Sequence, residues 1–282
     1  MRKISTLMVS VLCMMMPVGA EAQVPTAFVS KGATDIQAQP HSVTQTNSGA
    51  QLAAIDPMVR SITMDDGLPS NAVRSVVQGS KGYMWFGTDN GLCRFDGYDV
   101  KTYYNPFTTV DQFVSALTAC EEGLLVGCNN GAYLFCNATD RFQKLSDKIT
   151  APVLNFSLDG DQNVWISTNG QGVFRYNRTT HELHQYPMKN IQGKVKSTLV
   201  DANNQVWMLC NHGEASIYHL NKSTDQFEAF PLKGDATMFH GMAMLATPDG
   251  NVYVGTWENG LYKLNADGSA EQLISGTLSN AV

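Results

Sequence analysis

Polar clusters recur along this 282-residue chain at Asp89-Asn90, Asn129-Asn130, Asn169 with Gln171, Asn211-His212 and Trp257-Glu258-Asn259. Carboxylate, amide and imidazole groups can hydrogen-bond a hydroxyl-rich ligand, and an indole can stack on the apolar face of a sugar ring. Part of the pattern has a plainer origin. Asn-Gly pairs suit the positive φ of tight hairpins, which accounts for Asn90, Asn130 and Asn259 without a ligand. No turn demands Trp257 or His212, so these two head the candidate binding set, joined by Glu258, Asp89, Asn129 and Gln171.

Signals for catalysis are weak. The chain lacks a nucleophile elbow, a Walker loop and a dinucleotide fingerprint. Asp159-Gly160-Asp161-Gln162-Asn163 opens like a calcium loop but lacks the sixth-position glycine and the distant bidentate glutamate. Its phase matches the turns Ser80-Lys81-Gly82 and Pro248-Asp249-Gly250, so it reads as a polar hairpin. His181-Glu182-Leu183-His184 falls one residue short of a zinc-protease H-E-x-x-H and sits at a strand junction. No catalytic residue, metal or cofactor is expected.

The elements that carry these clusters repeat. Aligned on Trp85, equivalent positions fall at Leu125, Trp165, Trp207 and Tyr253, spaced 40, 40, 42 and 46 residues apart. Each repeat holds four short apolar runs separated by turn residues, such as Val73 to Gln78, Tyr83 to Gly87, Leu92 to Asp96 and Lys101 to Asn105. Four antiparallel strands at this period are the signature of a propeller blade. The fold class is therefore all-β, a β-propeller with five blades present. A blade cannot bury both faces alone, so the Trp85 series is expected to fill the space between blades. On a propeller, the polar clusters above emerge on one face. A hydrolase or lyase would need convergent carboxylates at the channel mouth, and only Asp89 and Glu258 fall there.

Flanking segments read differently. Arg2 and Lys3, the apolar run Ile4 to Val18 and Ala20-Glu21-Ala22 form a signal peptide over 1–22, cleaved near Ala22. Residues 23–57 are Gln-, Ser- and Thr-rich and read as a flexible leader, with the propeller occupying 58–282. The apolar run is too short to span a membrane, so no membrane insertion is expected. The net charge is −6, without a basic stripe, which argues against nucleic acid. Five cysteines follow the leader, Cys93, Cys120, Cys128, Cys136 and Cys210; they read as packed fillers, with one disulfide in the second repeat as the alternative. Gly276-Thr277-Leu278-Ser279-Asn280-Ala281-Val282 repeats the form of Gly67-Leu68-Pro69-Ser70-Asn71-Ala72-Val73, and Arg60 to Met64 reads as an unpaired outer strand. Both features predict an open arc, a fragment of a larger propeller.

The lead-in Gly67 to Val73, followed by Met84-Trp85-Phe86-Gly87-Thr88 and Gly91-Leu92-Cys93-Arg94-Phe95-Asp96, resembles the two-component regulator propeller family. Val164 to Thr168 with Gly172 to Asn177, and Val252 to Thr256 with Gly260 to Tyr262, repeat the resemblance, while the second and fourth repeats are degenerate. The resemblance implies the periplasmic ligand-sensing part of a hybrid two-component sensor. Such sensors usually carry two seven-bladed propellers tuned to oligosaccharides, then a β-sandwich, a membrane helix, a histidine kinase and often a DNA-binding module. The implied partners are an oligosaccharide and the absent C-terminal sensor domains, with dimerisation only in the full-length sensor. Alternatives are a free-standing secreted glycan- or protein-binding propeller and, less favoured, a propeller hydrolase or lyase.

Overall fold

The computed structural model describes residues 61–108, 111–188, 194–211, 216–230, 241–257, 259–265 and 269–274. The expected signal peptide, the leader and the seven-residue lead-in at Gly276 lie outside these residues. Five four-stranded antiparallel sheets follow one another along the chain. The first comprises β1 (Val73–Gln78), β2 (Met84–Thr88), β3 (Gly91–Phe95) and β4 (Val100–Tyr103). The second has β5 (Val114–Ala119), β6 (Gly123–Cys128), β7 (Gly131–Cys136) and β8 (Arg141–Lys144). The third has β9 (Val153–Leu158), β10 (Asn163–Thr168), β11 (Gly172–Asn177) and β12 (Leu183–Tyr186). The fourth has β13 (Lys194–Val200), β14 (Val206–Asn211), β15 (Ile217–Asn221) and β16 (Gln226–Ala229). The fifth has β17 (Gly241–Ala246), β18 (Val252–Thr256), β19 (Leu261–Leu264) and β20 (Ala270–Ile274).

Within every sheet the order follows the sequence, so each blade is a meander. Successive blades meet through their first strands, β1 with β5, β5 with β9, β9 with β13 and β13 with β17, which places those strands innermost. The fold is an open five-bladed propeller. Among the described residues, no comparable packing joins β17 back to β1.

Alternation along each second strand splits its side chains between two neighbours. On β10, Val164 and Ile166 join the core shared with the second blade, whereas Trp165 joins Val195, Val206 and Met208 of the fourth. Trp85 likewise packs with Val114, Leu124, Val126 and Phe135 of the second blade, and Trp207 joins Val252 and Val254 of the fifth. Leu125 takes that role toward the third blade. The repeated aromatic position is thus inter-blade filling, as its phase predicts.

The backbones approach closely at one point of the first, second and fourth interfaces. A Cβ added to Gly87 would lie 2.6 Å from Val114 Cγ1, and one added to Gly127 would lie 2.8 Å from Val153 Cγ1. Between the fourth and fifth blades the sizes are exchanged. There Leu209 occupies the second-strand position and Gly241 the first-strand position, and a Cβ on Gly241 would lie 2.5 Å from Leu209 Cδ1. Gly255, the equivalent position on the fifth blade, has nothing within 4 Å.

Two sequence expectations are settled here. Ser61 to Met64 form no strand; Met64–Asp66 is a single 3-10 turn. Thr63 Oγ1 accepts from the Asp65 amide while the Asp66 carboxylate accepts from the Thr63 amide, and this local closure replaces ladder pairing. All five cysteines are free, and Cys93, Cys120, Cys128 and Cys210 are buried, which excludes the disulfide alternative and fits the packed-filler reading.

Candidate functional site

Every innermost strand carries a β-bulge within its first three residues. The ladder skips one residue between Val73 and Ser75, between Val114 and Ala116, between Val153 and Asn155, between Val195 and Ser197, and between Gly241 and Ala243. The skipped residues are Arg74, Ser115, Leu154, Lys196 and Met242. A bulged residue leaves the in-out alternation and re-aims its side chain. Here the bulges stand where the chain enters each blade, beside the loops that bear the polar clusters. Five re-aimed side chains therefore line the inner edge at one mouth of the propeller.

One contact joins two of these positions directly, and others tie a bulge to the next blade or to the polar loops. The Lys196 Nζ lies 3.0 Å from Met242 Sδ, joining the fourth and fifth bulges. Ser115 Oγ donates to the Val153 carbonyl at 2.5 Å, joining the second bulge to the third blade. Arg74 meets the first polar cluster: its Nε and Nη2 donate to Asp89 Oδ1 and Oδ2 at 2.6 and 2.9 Å. That hydrogen bond to Asp89 holds the Arg74 guanidinium above its ordinary pKa. The guanidinium also lies over the Phe113 ring at 5.6 Å. Burial alone pulls the Lys196 ammonium below the usual lysine range.

The structure places the sequence candidates unevenly. Asp89 is neutralised by Arg74. Asn129 Nδ2 donates to Asp111 Oδ2 at 2.7 Å, tying two loops of the same face together. Gln171 Oε1 accepts from the amides of Thr150 and Ala151 at 2.9 and 2.8 Å, and its Nε2 donates to the Lys148 carbonyl at 3.1 Å. Both amide side chains thus brace loops. Trp257 is 56% exposed at the fifth-blade loop, free to present its ring. His212 and Glu258 lie outside the described residues. Arg74, Lys196 and Met242 escaped sequence reasoning, although their phase, one residue past each lead-in, was the signal that could have found them.

The remaining motifs are structural. Asp159 Oδ1 accepts from the amides of Asp161 and Asn163, and Oδ2 accepts from Asn163 Nδ2 and from the Trp165 indole at 2.8 Å. The carboxylate closes a hairpin and anchors the inter-blade tryptophan. Asp201 does the same for Trp207, at 2.9 Å. His181 Nδ1 sits 2.7 Å from the Tyr176 hydroxyl, and His184 packs edge-on against Tyr186.

Residues 67–90 match the family model described as two component regulator propeller. No curated protein matches the chain. Among solved structures it is similar to the extracellular domain of the hybrid two component system BT4673 from B. thetaiotaomicron, with 19% identity and a TM-score of 0.64 over 75% of this chain and 29% of that one. A second such domain, BT3049 from the same organism, gives 18% identity and 0.64 over 77% and 32%. A catalytically inactive virginiamycin B lyase from Staphylococcus aureus gives 14% and 0.62 over 76% and 73%. At these identities the likeness shows the propeller fold, which sensors and enzymes share. The chain spans less than a third of the length of the two sensor domains.

Proposed function

We propose that this chain, built from two-component regulator propeller repeats, is a periplasmic ligand-sensing module whose loop-bearing face recognises an oligosaccharide. The observation that carries the reading is the family match at 67–90, whose motif is repeated in the third and fifth blades. The similarity to extracellular domains of hybrid two component systems supports it. Among the described residues no helix is long and apolar enough to cross a membrane. Export rests on the signal peptide read at 1–22.

Recognition would combine stacking on Trp257 with hydrogen bonds from the polar loops. Signalling would be mechanical. Inter-blade contacts such as Val114 against Gly87 are tight, so blades shift between discrete packings and do not deform continuously. A ligand that fits one packing better would bias it, and a kinase outside this chain would report the shift. The chain itself acts as a non-catalytic binder, and dimerisation belongs to the complete sensor.

The test is titration of the purified chain against an oligosaccharide panel, followed by Trp257→Ala. Saturable binding lost in the variant, with an unchanged melting temperature, supports the reading. Saturable binding with no effect on the kinase output of the complete sensor would instead favour a free-standing binder. Turnover of a panel member would move the reading to the lyase-like enzymes that share the fold.

A further inference from the structure

We infer that the mouth of the propeller axis selects an acidic saccharide, seating a carboxylate or sulfate ester of the ligand against Lys196. This rests on the glycan-sensing reading and adds the ligand's charge to it.

Two cations stand among the five bulge residues, and they are in different states. Arg74 is fully engaged by both oxygens of Asp89. Lys196 is half-buried, and none of the ion pairs among the described residues includes it. Its polar contact is the Met242 thioether, a weak acceptor that offers no counter-charge. An ammonium group taken from water without an anion is costly to keep.

The fold does not require a charge at this position. The equivalent residues are Ser115, Leu154 and Met242, and each serves its bulge with a neutral side chain. A lysine against Met242 is therefore unexplained by packing. An entering anion would supply the missing charge, and partial desolvation of the site would strengthen the charge-assisted bond. The chain as a whole carries a net charge of −6, so general attraction does not favour anions. Discrimination must be local, at Lys196.

The probes are a panel of uronate- and sulfate-bearing oligosaccharides, each paired with its neutral counterpart, the methyl ester or the desulfated form. Wild-type chain should bind acidic members at least about tenfold more tightly, with affinity falling as salt is raised. Lys196→Met should abolish that preference, and Lys196→Arg should keep it. Melting temperatures of the three proteins verify folding, and the salt dependence of the wild type tests the inference even where a variant fails to fold. If uronates and sulfates differ, the panel names which acid the site takes. Equal binding of acidic and neutral partners, or an unaltered preference in Lys196→Met, overturns the inference while leaving the glycan reading standing. No saturable binding to any member counts against the glycan reading, and the inference falls with it.

Discussion

Arg175 and Asp225, fifty residues apart and in different blades, form a two-pronged ion pair across the third interface. Nη1 and Nη2 donate to Oδ1 and Oδ2 at 2.9 and 3.1 Å, and the Tyr186 hydroxyl donates to Oδ1 at 2.7 Å. The same guanidinium lies over the rings of Trp165 and Tyr186 at 5.7 and 5.6 Å. Arg175, which stands at the arginine position of the motif, is thus a strap to the next blade. At the first interface the arrangement is shared out differently. Lys101 and the Tyr103 hydroxyl take Asp140, at 3.0 and 3.2 Å, while Arg94 rests over Tyr83 at 4.7 Å.

Asp225→Asn should destabilise the chain by about 1 kcal/mol, a modest figure because the Asp225 side chain is 41% exposed and water screens the pair. Burial pushes this carboxyl up, but the bonds from Tyr186 and Arg175 outweigh it and hold it below the ordinary range. A depressed carboxylate contributes stability above its unfolded pKa, near 4, and loses it as pH falls through the lower folded value. Denaturant midpoints between pH 6 and pH 2 should therefore show a shallower acid loss in the variant. Parallel profiles would mean that the strap carries no charge-dependent energy.

Gly127→Val and Gly255→Val should part company. The first drives a side chain into Val153 and should cost about 1–3 kcal/mol or more by overpacking. The second meets open space within a strand and should stay within about 0.5 kcal/mol of the parent. Urea midpoints of the two variants measure the contrast. Equal destabilisation would show that another blade covers Gly255.

Asp159→Ala should cost about 1–3 kcal/mol, because it strips acceptors from two amides, an Asn side chain and the Trp165 indole at once. Trp165 fluorescence should report the lost anchor before global unfolding. The hairpin should move without disturbing β18 or β19, two blades away.

The thiols should react in two classes. Burial pushes Cys128 and Cys210 up to about 12, and Cys93 and Cys120 up to about 11. Cys136 is the exception: hydrogen bonding from Thr139 lowers it, and it is only partly covered. At neutral pH a disulfide reagent should label Cys136 quickly and the other four only on unfolding. Labelling kinetics with mass mapping check this; rapid labelling of Cys128 would contradict the packing of the first interface.

Strand content was legible because apolar alternation and turn residues repeat in phase. Each repeat has its four expected strands, and in the first repeat their ends are displaced by two residues or fewer. Gly91 and Gly123 extend β3 and β6 beyond their apolar runs, because backbone pairing does not need a side chain. What lay hidden has no local signature. The Thr63–Asp66 closure competes with a strand over only four residues. The Arg175–Asp225 strap spans a whole blade. Gln171 and Asn129 read as candidate ligand groups in the sequence, and the folded loops add that their amides bind backbone and Asp111. The bulges shift pairing by one residue without altering composition, so only its phase in the repeat points to Lys196.

The exchanged sizes at Leu209 and Gly241 have a consequence for how such a chain can evolve. Repeats of one origin could in principle be deleted, duplicated or reordered by recombination, since each is a similar part. The first two joints use one polarity, with a valine seated over a glycine, while the fourth uses the reverse. A copy of the fourth blade placed before the second would set Leu209 against Val114, two bulky residues in a space sized for one. Moved ahead of any blade but its own successor, it meets a mismatch. The exchanged sizes make the fourth and fifth blades a matched pair, which any rearrangement would have to move together to keep the joint.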